Sequence, residues 1–269
     1  MMVGLKRVIV TVVFAPLFYI LVKYFSSLPF FILIAAGIMI GQYEFYRLFY
    51  KERINVSILL GLICGFLLAI SFYLTNSHTS PTISVSIILI LVLVVHLFTF
   101  KNIESALTDV SITFFGIFYI GWLMGHIILL RGTGNGQSLI FFLFLVTWAG
   151  DAGAYYTGSY FGKHRLSYVV SPKKTYEGAF GCFAFSILMA FIARYWFFSH
   201  LTDTDALILG ASFGIISQLG DFSESLLKRS AGVKDSSFLI PAHGGMLDRV
   251  DSLLFTAPLL YYYISFIKG

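Results

Sequence analysis

Residues 83–100 read ISVSIILILVLVVHLFTF, eighteen positions without one charged side chain. As a helix rising ~1.5 Å per residue, such a run is ~27 Å long, close to the ~30 Å of a bilayer's hydrocarbon core. Strands of a membrane barrel alternate apolar and polar positions, and this run does not. A helix also satisfies its backbone N–H and C=O groups internally, as hydrocarbon requires.

Blocks of the same kind recur on both sides. Nine candidate spans lie at roughly 8–25, 29–46, 56–75, 83–100, 109–130, 138–161, 178–199, 204–227 and 250–267. The fold class expected is all-α: a polytopic integral membrane protein of about nine transmembrane helices. Composition agrees. Hydrophobic residues make up 58% and charged residues 12%, with a mean hydropathy of +0.87, whereas soluble domains carry about 25% charged residues. Lys6-Arg7 before an apolar run imitates a signal peptide. Pro16 interrupts that run and no small-x-small cleavage site follows, so a retained first helix is expected. Cys64 and Cys182 lie inside apolar blocks and read as packing residues, without disulfide or zinc spacing. No basic cluster marks a soluble nucleic-acid surface, so the expected partner is the lipid bilayer and nucleic acid is excluded.

The net charge of +5 is distributed unevenly. With the N-terminus in the cytoplasm, Lys6, Arg7, Arg47, Lys51, Arg53, Lys101, Lys163, Arg165, Lys173, Lys174, Lys228, Arg229, Lys234 and Arg249 fall on the cytoplasmic side, and Lys23, Arg131, Arg194 and Lys268 on the other. This fourteen-to-four division follows the positive-inside rule and, with an odd helix count, puts the C-terminus outside the cytoplasmic membrane.

Charge concentrates between Asp221 and Ser252: Asp221, Glu224, Lys228, Arg229, Lys234, Asp235, Asp248, Arg249 and Asp251, with Pro241-Ala242-His243-Gly244-Gly245 between them. An ordinary solvated loop is the plain alternative. The eighth span, however, spaces Gly214, Gln218, Asp221, Ser225 and Lys228 by four, three, four and three, which puts them on one helix face. A polar stripe in a membrane helix has to face the bundle interior or a wet cavity. The ninth helix is expected to start at Asp248, with Asp251 and Ser252 on the same face and Asp251 a candidate helix cap. Carboxylates from two helix ends, open to water, suit Mg²⁺, which takes oxygen ligands and bridges to phosphates. Lys228, Arg229, Lys234 and Arg249 would then hold phosphate oxygens.

The loop after the sixth span carries Lys163, His164, Arg165, Lys173 and Lys174, and Ser171-Pro172-Lys173-Lys174-Thr175 is compact enough to grip a phosphate. Simple positive-inside bias is the competing explanation. Asp151 lies in the sixth span beside Gly150, Ala154, Gly158 and Gly162, a small-residue stripe expected to pack closely and to place Asp151 in a crowded interface. His78, His96, His126 and His200 lack ligand spacing and read as structural.

The segments Ser217-Gln218-Leu219-Gly220-Asp221 with Glu224, Ser225-Leu226-Leu227-Lys228-Arg229, Lys234-Asp235, and His243-Gly244-Gly245-Met246-Leu247-Asp248-Arg249-Val250-Asp251 closely resemble the phosphatidate cytidylyltransferase (CDP-diacylglycerol synthase) family. Ser171-Pro172-Lys173-Lys174-Thr175-Tyr176-Glu177-Gly178 resembles its middle loop, with Tyr176 where tryptophan is common. Trp148-Ala149-Gly150-Asp151-Ala152-Gly153-Ala154-Tyr155 keeps the acid of the family's Trp-Ala-Asn-Asp-Thr-Gly-Ala-Tyr but lacks two polar side chains. The resemblance covers about residues 110–265, which suggests N-terminal transmembrane helices over 1–105 and a catalytic transmembrane domain over 106–269.

The resemblance implies a homodimeric enzyme making CDP-diacylglycerol and pyrophosphate from CTP and phosphatidic acid. It implies Mg²⁺ on Asp221 and Asp248, with Asp251 a further candidate ligand, and a second, monovalent cation such as K⁺. Asp221, Lys228, Arg229, Lys234, Asp248 and Arg249 would be catalytic. Lys173, Lys174, Ser225, His243, Gly244 and Gly245 would bind substrate, and Asp151 and Glu224 are further candidates. Two other readings stay open: a CTP-dependent lipid-alcohol kinase, which would transfer the terminal phosphate, and an ion-coupled transporter using the buried acids.

Single-cysteine labels at positions 234 and 268 are expected to react with an impermeant thiol reagent from opposite faces of the membrane. Reaction from the same face would refute nine spans.

Overall fold

The structure, a computed structural model, describes residues 15–50, 55–74, 79–100, 102–236 and 245–268. Nine helices occur among them. They are α1 (Ala15–Tyr24), α2 (Ser27–Phe49), α3 (Val56–Leu74), α4 (Thr79–Thr99), α5 (Ile103–Gly132, with a π segment at Ile117–Trp122), α6 (Gly136–Phe161), α7 (Tyr176–Trp196), α8 (Asp203–Ser230) and α9 (Leu247–Tyr263, continued by π turns over Ile264–Lys268). Among the described residues, extended pairing is limited to the isolated bridge between Arg165 and Thr175. From α2 onward, eight helices are long and apolar enough to cross a membrane. The protein is an all-α polytopic membrane protein. The first expected span begins outside the described residues, and its described part is the short apolar helix α1.

Several ends differ from the hydropathy boundaries because a polar cap extends the helix beyond its apolar run. α5 starts at Ile103 because the Asn102 side chain accepts the Glu104 N–H at 3.0 Å. α7 starts at Tyr176 because Thr175 Oγ1 accepts from Gly178 N at 3.1 Å. α8 opens with a reciprocal capping box, Thr202 with Asp205. Such caps occupy otherwise orphaned N–H groups of the first turn.

The outward faces are those of a protein in lipid. α4 exposes Ile83, Ile87, Ile90, Leu93, Leu97 and Phe98, an apolar surface too large for a soluble monomer to carry against water.

The chain forms two compact units: Met1–Gly132 with Asp235–Leu247, and Thr133–Lys234 with Asp248–Gly269. This division reports compactness, a different matter from the motif-based division after residue 105. In the first unit, α2 packs on α3 and α5. A Cβ on Gly61 or Gly116 would collide with the Tyr46 ring, and one on Gly65 with Gln42. Around the entry to the π segment, Tyr46 Oη donates to Thr113 O at 2.9 Å, Gln42 Nε2 to Gly116 O at 3.4 Å and Tyr50 Oη to Asp109 O at 3.1 Å. His96 Nε2 lies 3.1 Å from Ser57 Oγ, and His126 Nδ1 lies 2.8 Å from Trp122 O, so both are hydrogen-bonded within the helix bundle.

In the second unit, the small-residue stripe of α6 meets α7. Gly150 faces Ser186 and Cys182, and Gly158 faces Gly178. α7 meets α8 with equal closeness at Gly210 and Gly214. A Cβ on Gly214 would stand 2.5 Å from the Phe183 Cα. Backbone cannot step aside as a side chain can, so Gly214→Ala is expected to cost about 1–3 kcal/mol and to lower the thermal midpoint of detergent-solubilised protein. Gly134→Ala, with nothing within 4 Å of the added Cβ, is expected to leave it unchanged.

Candidate active site

The polar stripe of α8 faces inward. Gly214 abuts the Phe183 backbone, and Gln218 Nε2 donates to Ala179 O at 3.2 Å. Asp221 Oδ2 is 2.7 Å from Lys174 Nζ, and Ser225 Oγ donates to Asp221 Oδ1 at 3.4 Å. Lys228 is buried, with its ammonium 2.5 Å from both Glu224 Oε2 and Asp248 Oδ1. Glu224 is fully buried. Membrane helices tolerate such groups only when they are paired and turned away from lipid.

The loop joining α6 to α7 is ordered by its own polar groups. Glu177 accepts the backbone N–H groups of Lys163 and His164 and lies 2.6 Å from His164 Nδ1. Leu166 N donates to Lys174 O at 2.8 Å and Tyr176 N to His164 O at 2.9 Å. Lys174 N donates to Ser171 O at 3.2 Å, which closes the Ser171–Lys174 turn. The turn sends Lys174 Nζ towards Asp221 and over the Phe222 ring, 3.9 Å from its centroid, while Lys173 is exposed. Arg229 ties the end of α8 to this loop, with Nε donating to Val170 O at 3.3 Å and Nη1 to Val233 O at 3.0 Å.

α9 approaches α8 at Gly220, where a Cβ would stand 2.6 Å from Asp251 O. Asp151 Oδ1 accepts from Ser252 Oγ at 3.2 Å, and Asp251 Oδ1 from Ser252 N at 2.7 Å. Asp151, Asp221 and Asp251 lie close enough to interact electrostatically, and Asp251 also feels Glu224.

One expectation is corrected by the position of the helix start. Asp251 is not a helix cap, because α9 starts at Leu247 and Asp251 falls in its second turn. Asp151 meets α9, at Ser252. One residue turns a helix by about 100°, so Asp151 stands beside the glycine stripe, where it remains accessible. Lys228 sits among carboxylates rather than open to a substrate. Lys234 and Arg249 are exposed and Gly245 is buried, while His243 and Gly244 lie outside the described residues.

Five carboxyl groups (Asp151, Asp221, Glu224, Asp248 and Asp251) are thus interleaved with two ammonium groups, Lys174 and Lys228. Like charges this close in a poorly polarisable medium favour a cation. Among the described residues no three of His, Cys, Asp and Glu form a metal-ligand group by themselves. Mg²⁺ does not need one, since it keeps several waters and binds through one or two carboxylates plus substrate phosphates. The two ammonium groups already stand as cations on Asp221 and Asp248, and the oxygen-only donor set fits a hard ion. Glu224 and Ser252 owe their places here to burial and pairing.

The chain matches the family model for the cytidylyltransferase family over residues 5–267. It is 32% identical to a phosphatidate cytidylyltransferase of Bacillus subtilis over 267 residues, covering 98% of this chain and 99% of that one. It is 36% identical to a phosphatidate cytidylyltransferase of a Synechocystis species over 192 residues, covering 61% of this chain and 65% of the other. It is 42% identical to the Haemophilus influenzae protein of that name over 137 residues, covering 49% and 48%. The last two matches therefore span about two thirds and about half of those relatives. This chain belongs to the cytidylyltransferase family, a family of nucleotidyl-transferring enzymes.

Proposed function

We propose that this protein is a phosphatidate cytidylyltransferase, transferring CMP from CTP to phosphatidic acid on the cytoplasmic side of the membrane. The observation that carries this reading is the interleaving of five carboxyl groups with Lys174 and Lys228 where α8, α9 and the α6–α7 loop meet. Family membership and the names of the relatives support the substrate pair. The fourteen-to-four distribution of basic residues supports the cytoplasmic side.

The phosphomonoester of phosphatidic acid has a second pKa near ~6 and is largely dianionic at neutral pH. One of its oxygens attacks the α-phosphorus of CTP, the bond from that phosphorus to the β-bridging oxygen breaks, and pyrophosphate leaves with the bonding electrons. No proton need be removed from the nucleophile. What the protein must overcome is repulsion between two anions, which is a matter of positioning and charge. Asp221, Asp248 and Asp251 would hold Mg²⁺, which supplies positive charge against the triphosphate and the leaving pyrophosphate. The family resemblance also implies a second, monovalent cation such as K⁺. Lys174 stands on a short turn at the helix ends, where it can exchange Asp221 for a substrate phosphate. Lys228 holds Glu224 and Asp248 in register, and Arg229 fixes the loop that carries Lys174.

Purified protein incubated with Mg²⁺, phosphatidic acid and CTP labelled at the α-phosphate is expected to place the label in lipid, whereas CTP labelled at the γ-phosphate should release it as pyrophosphate. A γ-label in lipid would instead mark a kinase, and solute flux without CTP turnover a transporter. Asp221→Asn and Asp248→Asn should each lower turnover by at least ~100-fold in correctly inserted protein, with weaker Mg²⁺ binding measured directly by calorimetry. Ordinary Mg²⁺-dependent activity in the double variant would sink the assignment.

The two neighbouring lysines should separate. Lys174→Gln is expected to reduce turnover by about 100-fold, and Lys173→Gln, whose side chain is exposed, by less than about threefold. Equal, small effects would return this loop to positive-inside bias.

A further inference from the structure

Glu44 lies near the end of α2 and is only 1% exposed. A carboxylate so placed in a membrane helix has to be met by donors. Its donors come from the far end of the chain. Oε1 accepts the backbone N–H of Met246 at 2.9 Å, and Oε2 accepts the backbone N–H of Leu247 at 2.8 Å and the hydroxyl of Ser236 at 3.3 Å. These donors flank the signature loop: Ser236 precedes residues 237–244, and Met246 and Leu247 follow them. The fit is close. A Cβ on Gly245 would collide with Ser236 Oγ and stand 2.6 Å from Glu44 Oε2.

We infer that Glu44 is a positioning residue, a clamp that ties the two ends of the signature loop together and fixes the first residue of α9. Asp248 follows Leu247 directly, so the clamp sets the backbone from which that carboxylate projects. The inference rests on the proposed role of Asp248. The chemistry suits a carboxylate in particular. The first N–H groups of a helix lack intrahelical acceptors, and negative charge is favoured there. The Gly244-Gly245-Met246 approach to Leu247 offers no side-chain oxygen for a cap, and Glu44 supplies one from another helix.

Glu44 is itself held from both sides. Gln42 and Tyr46, on either side of Glu44 in sequence, anchor α2 to the carbonyls of Gly116 and Thr113 on α5. The N-terminal helices, to which the signature assigns no chemistry, thereby gain a part in it. Glutamine at position 44 keeps the shape but turns an NH₂ group towards N–H or O–H donors, which breaks at least one arm of the clamp.

The test uses full-length protein in detergent, with Glu44→Gln and Ser236→Ala compared against the unaltered chain by hydrogen exchange and by turnover. Glu44→Gln is expected to speed exchange at Met246 and Leu247 by about tenfold or more, to leave α5 and α6 protected, and to lower kcat by about tenfold while the KM for CTP moves less than about twofold. Ser236→Ala keeps both backbone bonds and should change each readout less. Unaltered exchange at Met246 and Leu247 in Glu44→Gln overturns the clamp. So does exchange rising equally across α2–α5, which would mark a purely structural residue, or faster exchange with undiminished turnover. If the unaltered protein fails to make CDP-diacylglycerol, the proposed function falls, and the exchange arm still decides whether the clamp exists.

Discussion

A charge on a membrane helix has to be answered by another charge or by a donor, and the arrangement of this protein's helix ends follows from that demand. Asp221 is answered by Lys174, and Glu224 and Asp248 by Lys228. Asp151 is answered by Ser252, and Glu44 by two backbone N–H groups and Ser236. None of these partnerships joins immediate sequence neighbours. Satisfying them together leaves the α6–α7 loop and the ends of α8 and α9 few alternative positions. Each partner is weak alone in water but costly to lose where water is scarce.

Close backbone approach is the other requirement, and glycine supplies it. In the second unit α7 lies between α6 and α8, with Gly150, Gly158, Gly178, Gly210 and Gly214 at its contacts. Hydrocarbon offers no hydrophobic drive for helices to associate, so small residues that let backbones touch carry much of the packing. In the first unit the π segment of α5 works with α2 instead. The carbonyls near its entry take donors from Tyr46 and Gln42, and the same stretch of α2 carries Glu44.

Much of this could be read from the chain. Continuous apolar runs such as 83–100 announce membrane helices because lipid leaves the backbone no other choice, and the inward α8 stripe is visible because its spacing is helical. The helix starts at Ile103 and Tyr176 lie outside the apolar runs because hydropathy cannot see a cap made by Asn102 or Thr175. The sequence does not show that Asp251 lies past the first turn of α9, because the helix starts one residue before Asp248 and its cap, Glu44, comes from about two hundred residues away. Glu44 carries one usable signal: it is the lone acid of α2.

The ammonium of Lys228 shared by Glu224 and Asp248 has a bearing on how such a sequence can change over time. An isolated ion pair can be lost in two independent steps, each leaving one stranded charge. A shared ammonium links three positions, so replacing Lys228 removes an ion-pair partner from two acids at once, whereas replacing Glu224 leaves the ammonium to Asp248. The effects of substitutions at these three sites therefore do not add. Their order matters, and the path that starts at the lysine is the steepest.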